Sequence, residues 1–415
     1  MSGILGGTGN TGDFVAATQP MNRTFKHVSD LWAGKDSWAR KEGLVMEFDD
    51  LASKIEAEHD ISYDVQTTPN HVRAIVHDGT CKLEMLAGDF QGIPLELSRH
   101  SIMQIGGPTL RGSGYATLDQ LTRPQTDEGD QEIAAHIINN SLRHLCEEKG
   151  DKNFLFRLRV PNTNQGSVRA ILTERYARIN HDWFLNVIRE MVPEGLVSHL
   201  RFDNGDKMEF NLLIPDTQRV EDDSDYGGML SVGNSEIGNG RAFTKPSLFR
   251  AICMNGCIWN QQAGDMLNKV HRGNLDLAAF RIAIRQNLQT QIPLLPAGID
   301  KLLQTKELTF DDVTPQRIVT RLAKVNGAGL NKPQARTVVD AFNIEPTNNA
   351  FGIINALTRA AQDFGGDEQG RVETLAGSYM ESWIDETKGT SRWDRLIAQA
   401  KDTADDEVNK LLTVG

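Results

Sequence analysis

Arginine is the residue that this chain concentrates where recognition chemistry would need it. Residues 151–180 hold Lys152, Arg157, Arg159, Arg169, Arg175 and Arg178 against Asp151 and Glu174, a balance of +4. Residues 241–286 hold Arg241, Lys245, Arg250, Lys269, Arg272, Arg281 and Arg285 against Asp265 and Asp276, a balance of +5, although the whole chain carries −12. A planar guanidinium offers a fork of donors that pairs with phosphate, and Tyr176 and Trp183 lie close by in sequence as rings on which bases can stack. The candidate DNA-binding residues are therefore Arg157, Arg159, Arg169, Arg175, Arg178, Arg241, Lys245 and Arg250. The competing reading is that these cations pair with the acidic run Glu221–Asp225 and the acidic C-terminal third. Charge segregation along a sequence does not say what faces it, so both readings stay open.

Other chemistry-bearing patterns are weaker. Gly7-Thr8-Gly9-Asn10-Thr11-Gly12 satisfies the spacing of a dinucleotide-binding turn, but only Ile4-Leu5 precede it where a buried strand is needed, and Pro20 cuts short the helix that should follow. Cys253 and Cys257, with His271 downstream, supply too few ligands for a structural zinc and read as small buried hydrophobes. The run Glu221–Asp225 does not fit a calcium loop, since a loop opening at Asp223 would place Asn234 where a bidentate Glu is required. His181-Asp182 carries no spacing specific to nucleophilic catalysis; Asn180 and Asp182 read more simply as capping groups at a helix start. No catalytic residue, metal ligand or cofactor is expected.

The elements that must position these groups follow from periodicity. Met46, Leu51 and Ile55 fit a short amphipathic helix ending near His59. His71–His77 and Cys81–Leu86 flank Asp78-Gly79, a hairpin signal, and a second hairpin, Leu196–Phe202 with Lys207–Ile214, is turned at Asn204-Gly205. Gly106–Gly129 reads as a long loop or domain boundary, and Glu132–Glu148 as a helix. Phe154–Val160 alternates Phe154, Phe156, Leu158 and Val160 with Leu155, Arg157 and Arg159, which predicts a strand with one cationic, partly wet face and Val168–Leu172 as its partner. His181–Val192 reads as a helix capped by Asn180. Met229–Val232 and Ala242–Trp259 continue the mixed region. Beyond it, Leu275–Leu288, Ala297–Leu303, Pro315–Val325, Pro333–Phe342, Ala350–Phe364, Val372–Ile384 and Trp393–Leu412 read as helices.

The expected fold class is thus α+β: central antiparallel hairpins packed with helices, followed by an α-helical C-terminal region. The expected organisation is a flexible tail over 1–30, an N-terminal α+β region over 31–128, a central α+β domain over 129–270 and a helical region over 271–415. With 39% hydrophobic and 24% charged residues the chain can build cores of its own, and no stretch approaches the roughly 18 consecutive apolar residues of a membrane span. The start, MSGILGGTGN, lacks the basic and apolar regions of a secretory signal, so the cytoplasm of a host cell is the expected compartment, with a virion as the alternative. Four cysteines, Cys81, Cys146, Cys253 and Cys257, are too few for a disulfide framework.

Three ordered motifs carry a resemblance. Arg169-Ala170-Ile171-Leu172-Thr173-Glu174-Arg175-Tyr176 is similar to the R-A-x-x-S-x-R-Y segment of the phage/plasmid-like family catalogued as domain of unknown function 932, with Thr173 in place of the usual Ser. Asn234-Ser235-Glu236-Ile237-Gly238 resembles its N-S-E-x-G segment, and Arg250-Ala251-Ile252-Cys253-Met254-Asn255-Gly256 its R-x-x-C-x-N-G segment. The match covers mainly residues 150–265, with a looser echo at Val372–Gly377. It implies a mobile-element gene product but no reaction.

Two hairpins around one helix, with arginines on a strand face, also resemble in outline the core of the single-strand annealing proteins of phages, an analogy at fold level only. The expected function is a phage- or plasmid-encoded protein that binds single-stranded DNA, and promotes its annealing, as a homo-oligomer. A virion-associated or interaction protein that contacts a phage or host protein is the alternative. A metal-dependent nuclease or hydrolase comes third and would need several acids and His181 to converge in one pocket.

Overall fold

The computed structural model describes residues 45–412 except 111–112, 124–125, 151, 193–195, 204, 215–216, 218, 222–223, 251–254, 258–266, 274, 325–328, 365 and 385–391. The tail at 1–30, the Gly7–Gly12 pattern and Cys253 lie outside the described residues. Strand β1 (Val45–Glu47) leads into helix α1 (Phe48–Asp60) and strand β2 (Ser62–Thr67). The expected first hairpin is present as β3 (Val72–His77) and β4 (Thr80–Met85), and Asp78 and Gly79 turn it with φ of 51° and 69°, the left-handed pair that such a tight turn needs.

After β5 (Pro94–Leu97), the stretch expected to be a loop folds instead as helices α2 (Arg99–Thr109) and α3 (Ser113–Leu121), followed by α4 (Glu128–Lys149). The correction has a local cause. Ser98 caps α2 by accepting from the Ser101 N–H at 3.0 Å, and Ile105 and Leu118 bury completely against the first sheet, which outweighs the poor helix propensity of Gly106-Gly107-Pro108.

Strands β6 (Phe154–Asn162) and β7 (Gln165–Thr173) complete that sheet in the order β2-β6-β7-β5-β4-β3, antiparallel except for the β5–β7 pair. Phe154, Phe156 and Leu158 face Ile102, Ile105, Ala134, Ile138 and Leu142 of the covering helices in one core.

Helix α5 (His181–Arg189) precedes the second sheet. Its strands are β8 (Leu196–Asp203), β9 (Lys207–Leu213), β10 (Arg219–Glu221), β11 (Ser224–Ser235), β12 (Arg241–Arg250), β13 (Asn255–Cys257) and β14 (Leu267–Val270). The order is β1-β8-β9-β11-β12-β13, with β10 on β11 and β14 on β12. Both ends of the acidic run lie in paired strands, Glu221 of β10 opposite Ser224 of β11; Asp222 and Asp223 lie outside the described residues. Strands from before residue 128 enter both sheets, β1 beside β8 and β2 beside β6.

The last third is helical: α6 (Leu277–Gln291), α7 (Leu295–Gln304), α8 (Pro315–Ala323), α9 (Lys332–Ile344), α10 (Ala350–Ala361), α11 (Gly366–Ile384), α12 (Arg392–Lys401) and α13 (Asp405–Leu412). The segment read as one helix from Trp393 to Leu412 is two, broken at Asp402–Ala404. Helices α7 to α13 share a core into which Tyr226 and Leu248 of the second sheet are packed, whereas α6 packs with Ala242 in a separate core. Among the described residues no helix is long and apolar enough to cross a membrane.

Candidate functional site

The cationic face expected of β6 exists, but it is dry. Arg157 and Arg169 are 3% and 2% exposed, because the start of β9, the end of β11 and the start of α5 cover that face. Arg157 donates through Nε to Asp64 Oδ1 at 2.8 Å, through Nη1 to the Glu236 carbonyl at 2.7 Å and through Nη2 to Asn180 Oδ1 at 2.7 Å. Arg169 donates to Asp206 Oδ1 at 2.6 Å, Glu236 Oε2 at 3.1 Å, Ser62 Oγ at 3.2 Å and the Gly205 carbonyl. Arg159 sits 3.0 Å from Glu58 Oε2. Burial pushes the Arg159 guanidinium below its ordinary value, whereas at Arg169 the same burial penalty is outweighed by Glu236 and Asp206, which raise it.

Glu236 is the hub of this network. Burial disfavours its charge, yet His181, Arg157, Arg169 and the His181 backbone N–H hold its carboxyl down at about 2. That N–H donates to Glu236 Oε1 at 2.7 Å, so the anion stands at the positive end of α5. Asn180 occupies the cap position but its side chain makes no capping bond; it receives Arg157 instead. The His181 ring is buried, its Nδ1 accepts from Asn234 Nδ2 at 2.9 Å, and burial lowers its pKa to about 4. The segments that carry the family resemblance thus furnish the network: Arg169 and Tyr176 from the first motif, Asn234, Ser235 and Glu236 from the second. The Tyr176 hydroxyl donates to the Ser235 carbonyl at 3.0 Å.

Next to the network, Ile55, Glu58, His59, Ser62, His181, Asp182, Gly205 and Glu236 line a recess with about 210 Å³ of empty space, open solvent at its mouth included. The convergence of acids with His181 that a hydrolase would need is therefore present. The groups are nevertheless engaged with one another, Glu58 with Arg159 and Glu236 with Arg169. Among the described residues no three His, Cys, Asp or Glu side chains group so as to hold a metal ion.

The remaining expected DNA contacts divide. Arg250 is buried, paired with Glu345 at 2.8 Å and set over the Phe351 ring. Lys245 lies over the Phe243 ring, and burial lowers its pKa against the opposing pull of Glu209 and Glu373. Arg178 is half-exposed but holds Asp64 at 3.3 Å. The reading of Arg157, Arg159, Arg169 and Arg250 as groups open to phosphate is corrected: all four are turned inward onto carboxylates contributed by other elements.

Arg175 and Arg241 remain exposed, and the fold adds Lys269 and Arg272, also exposed; among the described residues none of the four has an ion pair. A single antiparallel bridge joins Tyr176 to Arg272, and the Gly273 N–H donates to the Arg175 carbonyl at 3.0 Å, which sets Arg175 beside Arg272. Strand β14 lies along β12 with Val270 opposite Arg241 and Lys269 opposite Ala242. Four exposed cations thus lie along β12, the edge strand β14 and the turn after β7. Lys269 and Arg272 belong to the +5 segment of the sequence, but only the β14 pairing distinguishes them from their neighbours. The chain matches no family model, no curated protein and no solved structure.

Proposed function

We propose that the protein binds single-stranded DNA, as a phage or plasmid gene product acting as an oligomer, with the phosphates held on the outer cationic edge rather than on the β6 face. The observation that carries this reading is the contrast between two sets of cations. Arg157, Arg159, Arg169 and Arg250 are neutralised internally, whereas Arg175, Arg241, Lys269 and Arg272 stand exposed along β12, β14 and the turn after β7, with no ion pair among the described residues. Exposed cations without counter-charges release the condensed ions of a nucleic acid on binding, so affinity depends on salt. The three resembling motifs favour the mobile-element setting.

The test is fluorescence anisotropy of a labelled single-stranded oligonucleotide at rising salt. Four phosphate contacts give a log–log slope of roughly −3. Replacing Arg241→Glu together with Lys269→Glu weakens binding by roughly tenfold or more at low salt. No binding at low salt, or binding indifferent to salt, overturns the reading. Cleavage of the oligonucleotide, abolished by His59→Ala or Asp182→Asn, would replace it with a hydrolytic one.

A second reading, an interaction protein of the same mobile element without a nucleic-acid role, is favoured by the inward pairing of Arg157, Arg159, Arg169 and Arg250. It expects rings or filaments that form without DNA and are unchanged by neutralising Arg241 and Lys269.

A further inference from the structure

We infer that strand β2 pairs with the same strand of a second copy of this chain, antiparallel across a two-fold axis, so that two copies of the first sheet join into one. This gives the oligomer of the reading above a geometry and does not depend on nucleic acid. The hydrogen-bond ladder shows which backbone groups are open. The Val160 N–H donates to the Ile61 carbonyl at 2.8 Å, and the register continues without a break from Ser62 opposite Arg159 to Thr67 opposite Phe154. Bonded pairs alternate along an antiparallel ladder, so Ile61, Tyr63, Val65 and Thr67 aim their backbone groups at β6. Those of Ser62, Asp64 and Gln66 point the other way, and β2 is the last strand of its sheet on that side. Asp64 shows the consequence: its side chain is 20% exposed while the residue as a whole is exposed, so its backbone is what faces solvent. Among the described residues no hydrogen bond reaches the outward backbone groups of these three.

The other sheet edges among the described residues are poor templates. Strand β3, also six residues long, carries Asn139 on both backbone groups of Ala74 at mid-strand, and β1, β10, β13 and β14 are three or four residues long. Plugged or short edges are how sheets avoid joining one another. Strand β2 has six residues, no Lys, no Pro and no bulge. Its single charge is already neutralised, since Asp64 is held by Arg157 at 2.8 Å and Arg178 at 3.3 Å. The occupant follows from the strand's own sequence, which is complementary to itself in one register. Centring the axis on Val65 sets Asp64 opposite Gln66 on both sides, two bonded pairs with a carboxylate beside a carboxamide, and Tyr63 opposite Thr67, an aromatic against a β-branched residue. Centring it on Asp64 opposes two carboxylates, and centring it on Tyr63 runs Gln66 onto Asp60, the last residue of α1. Such an isologous contact uses β2 of both copies and closes, so it yields a dimer and not a filament.

The test is sedimentation velocity of the full chain without DNA over a range of concentrations, together with hydrogen exchange at Asp64 and Gln66. The expected result is a species of twice the 46.0 kDa of one chain, with protection of those two amides that is lost on dilution. Gln66→Pro removes an outward N–H and leaves the β6 ladder whole, so it is expected to shift the protein to monomer. An unchanged melting temperature at a concentration where the unaltered protein is itself monomeric shows that the fold is retained. Val65→Cys, on the axis, is expected to form a covalent dimer under oxidation, whereas Tyr63→Cys, off the axis, and the unaltered protein, whose Cys81 and Cys146 are buried, are not. A monomer at every concentration overturns the inference, and amides protected within that monomer would assign the edge to another segment of the same chain. A dimer that survives Gln66→Pro, or one that Val65→Cys fails to cross-link, overturns it too, because the contact then lies elsewhere. None of these outcomes alters the oligonucleotide measurements above, and failure to bind an oligonucleotide leaves the dimer standing.

Discussion

Glu236 and His181, far apart in sequence, are joined through the backbone: Glu236 Oε1 accepts from the His181 N–H at 2.7 Å while Oε2 accepts from Arg169 Nη2 at 3.1 Å. One carboxylate therefore ties the first turn of α5 and the end of β11 to strand β7, and through the Arg157 bonds to β6. It is one of the points at which the two sheets are fastened, beside the Arg169–Asp206 pair and the Tyr176–Ser235 bond.

Removing that carboxylate should unfasten them. Glu236→Ala leaves Arg157 and Arg169 buried with less counter-charge, and breaking a buried pair by deleting one partner costs about 3–5 kcal/mol. Urea denaturation should show a loss of that order. A loss below about 1 kcal/mol would mean that Asp64 and Asp206 suffice and that Glu236 is not the hub.

The buried histidines set an acid limit. His181 and His271 are held neutral by burial, with pKa values of about 4, below their unfolded value of 6.5. A depressed folded value means that the unfolded chain takes up protons first. Stability is full above pH 6.5 and falls as the pH drops toward 4, by about 3 kcal/mol from His181 alone, with His271 acting in the same window. The depressed Glu236 carboxyl adds a further loss between pH 4.5 and about 2. Denaturation midpoints at pH 7, 5.5 and 4.5 report this directly, and a midpoint that stays constant across them contradicts it.

Inward and outward arginines should fail differently. Arg169→Ala leaves Asp206 and Glu236 without their shared cation and should lower stability by about 3 kcal/mol. Arg241→Ala removes an exposed side chain and should change stability by no more than about 0.5 kcal/mol. Equal melting temperatures for the two variants would refute the partition on which the proposed interface depends.

The edge of the first sheet offers an independent check of the fold. Strand β3 is the last in its sheet, and Asn139 of α4 satisfies its open side, accepting from the Ala74 N–H at 2.8 Å and donating to the Ala74 carbonyl at 3.0 Å. Asn139→Ala should cost about 1–3 kcal/mol and speed hydrogen exchange at Ala74. It also uncovers an edge able to pair with other chains, so increased aggregation is expected. Unchanged exchange at Ala74 would count against the contact.

Much of the fold was legible along the chain because its signals are local. The turn at Asp78-Gly79, the pairing of β8 with β9 and the alternation of β6 with its partner β7 need only neighbouring residues, and the α+β class follows from them. Where local propensity competed with burial it misled: the glycines near Gly106 suggested a loop, and the packing of Ile105 and Leu118 made helices.

The charge distribution marks the limit more sharply. Alternation places Arg157 and Arg159 on one face of a strand, but no periodicity states what covers that face. The covering acids come from Glu58, Asp64, Asp206 and Glu236, on four separate elements whose approach is set by the packing of two sheets. Likewise Arg175 and Arg272 become neighbours only through the Tyr176–Arg272 bridge. The basic middle of an acidic chain was determined by sequence alone. Which of its cations are spent inside the protein and which stand free at its edge was decided by tertiary structure, because a charge is neutralised by whatever lies within a few ångströms in space, and sequence spacing does not report that distance.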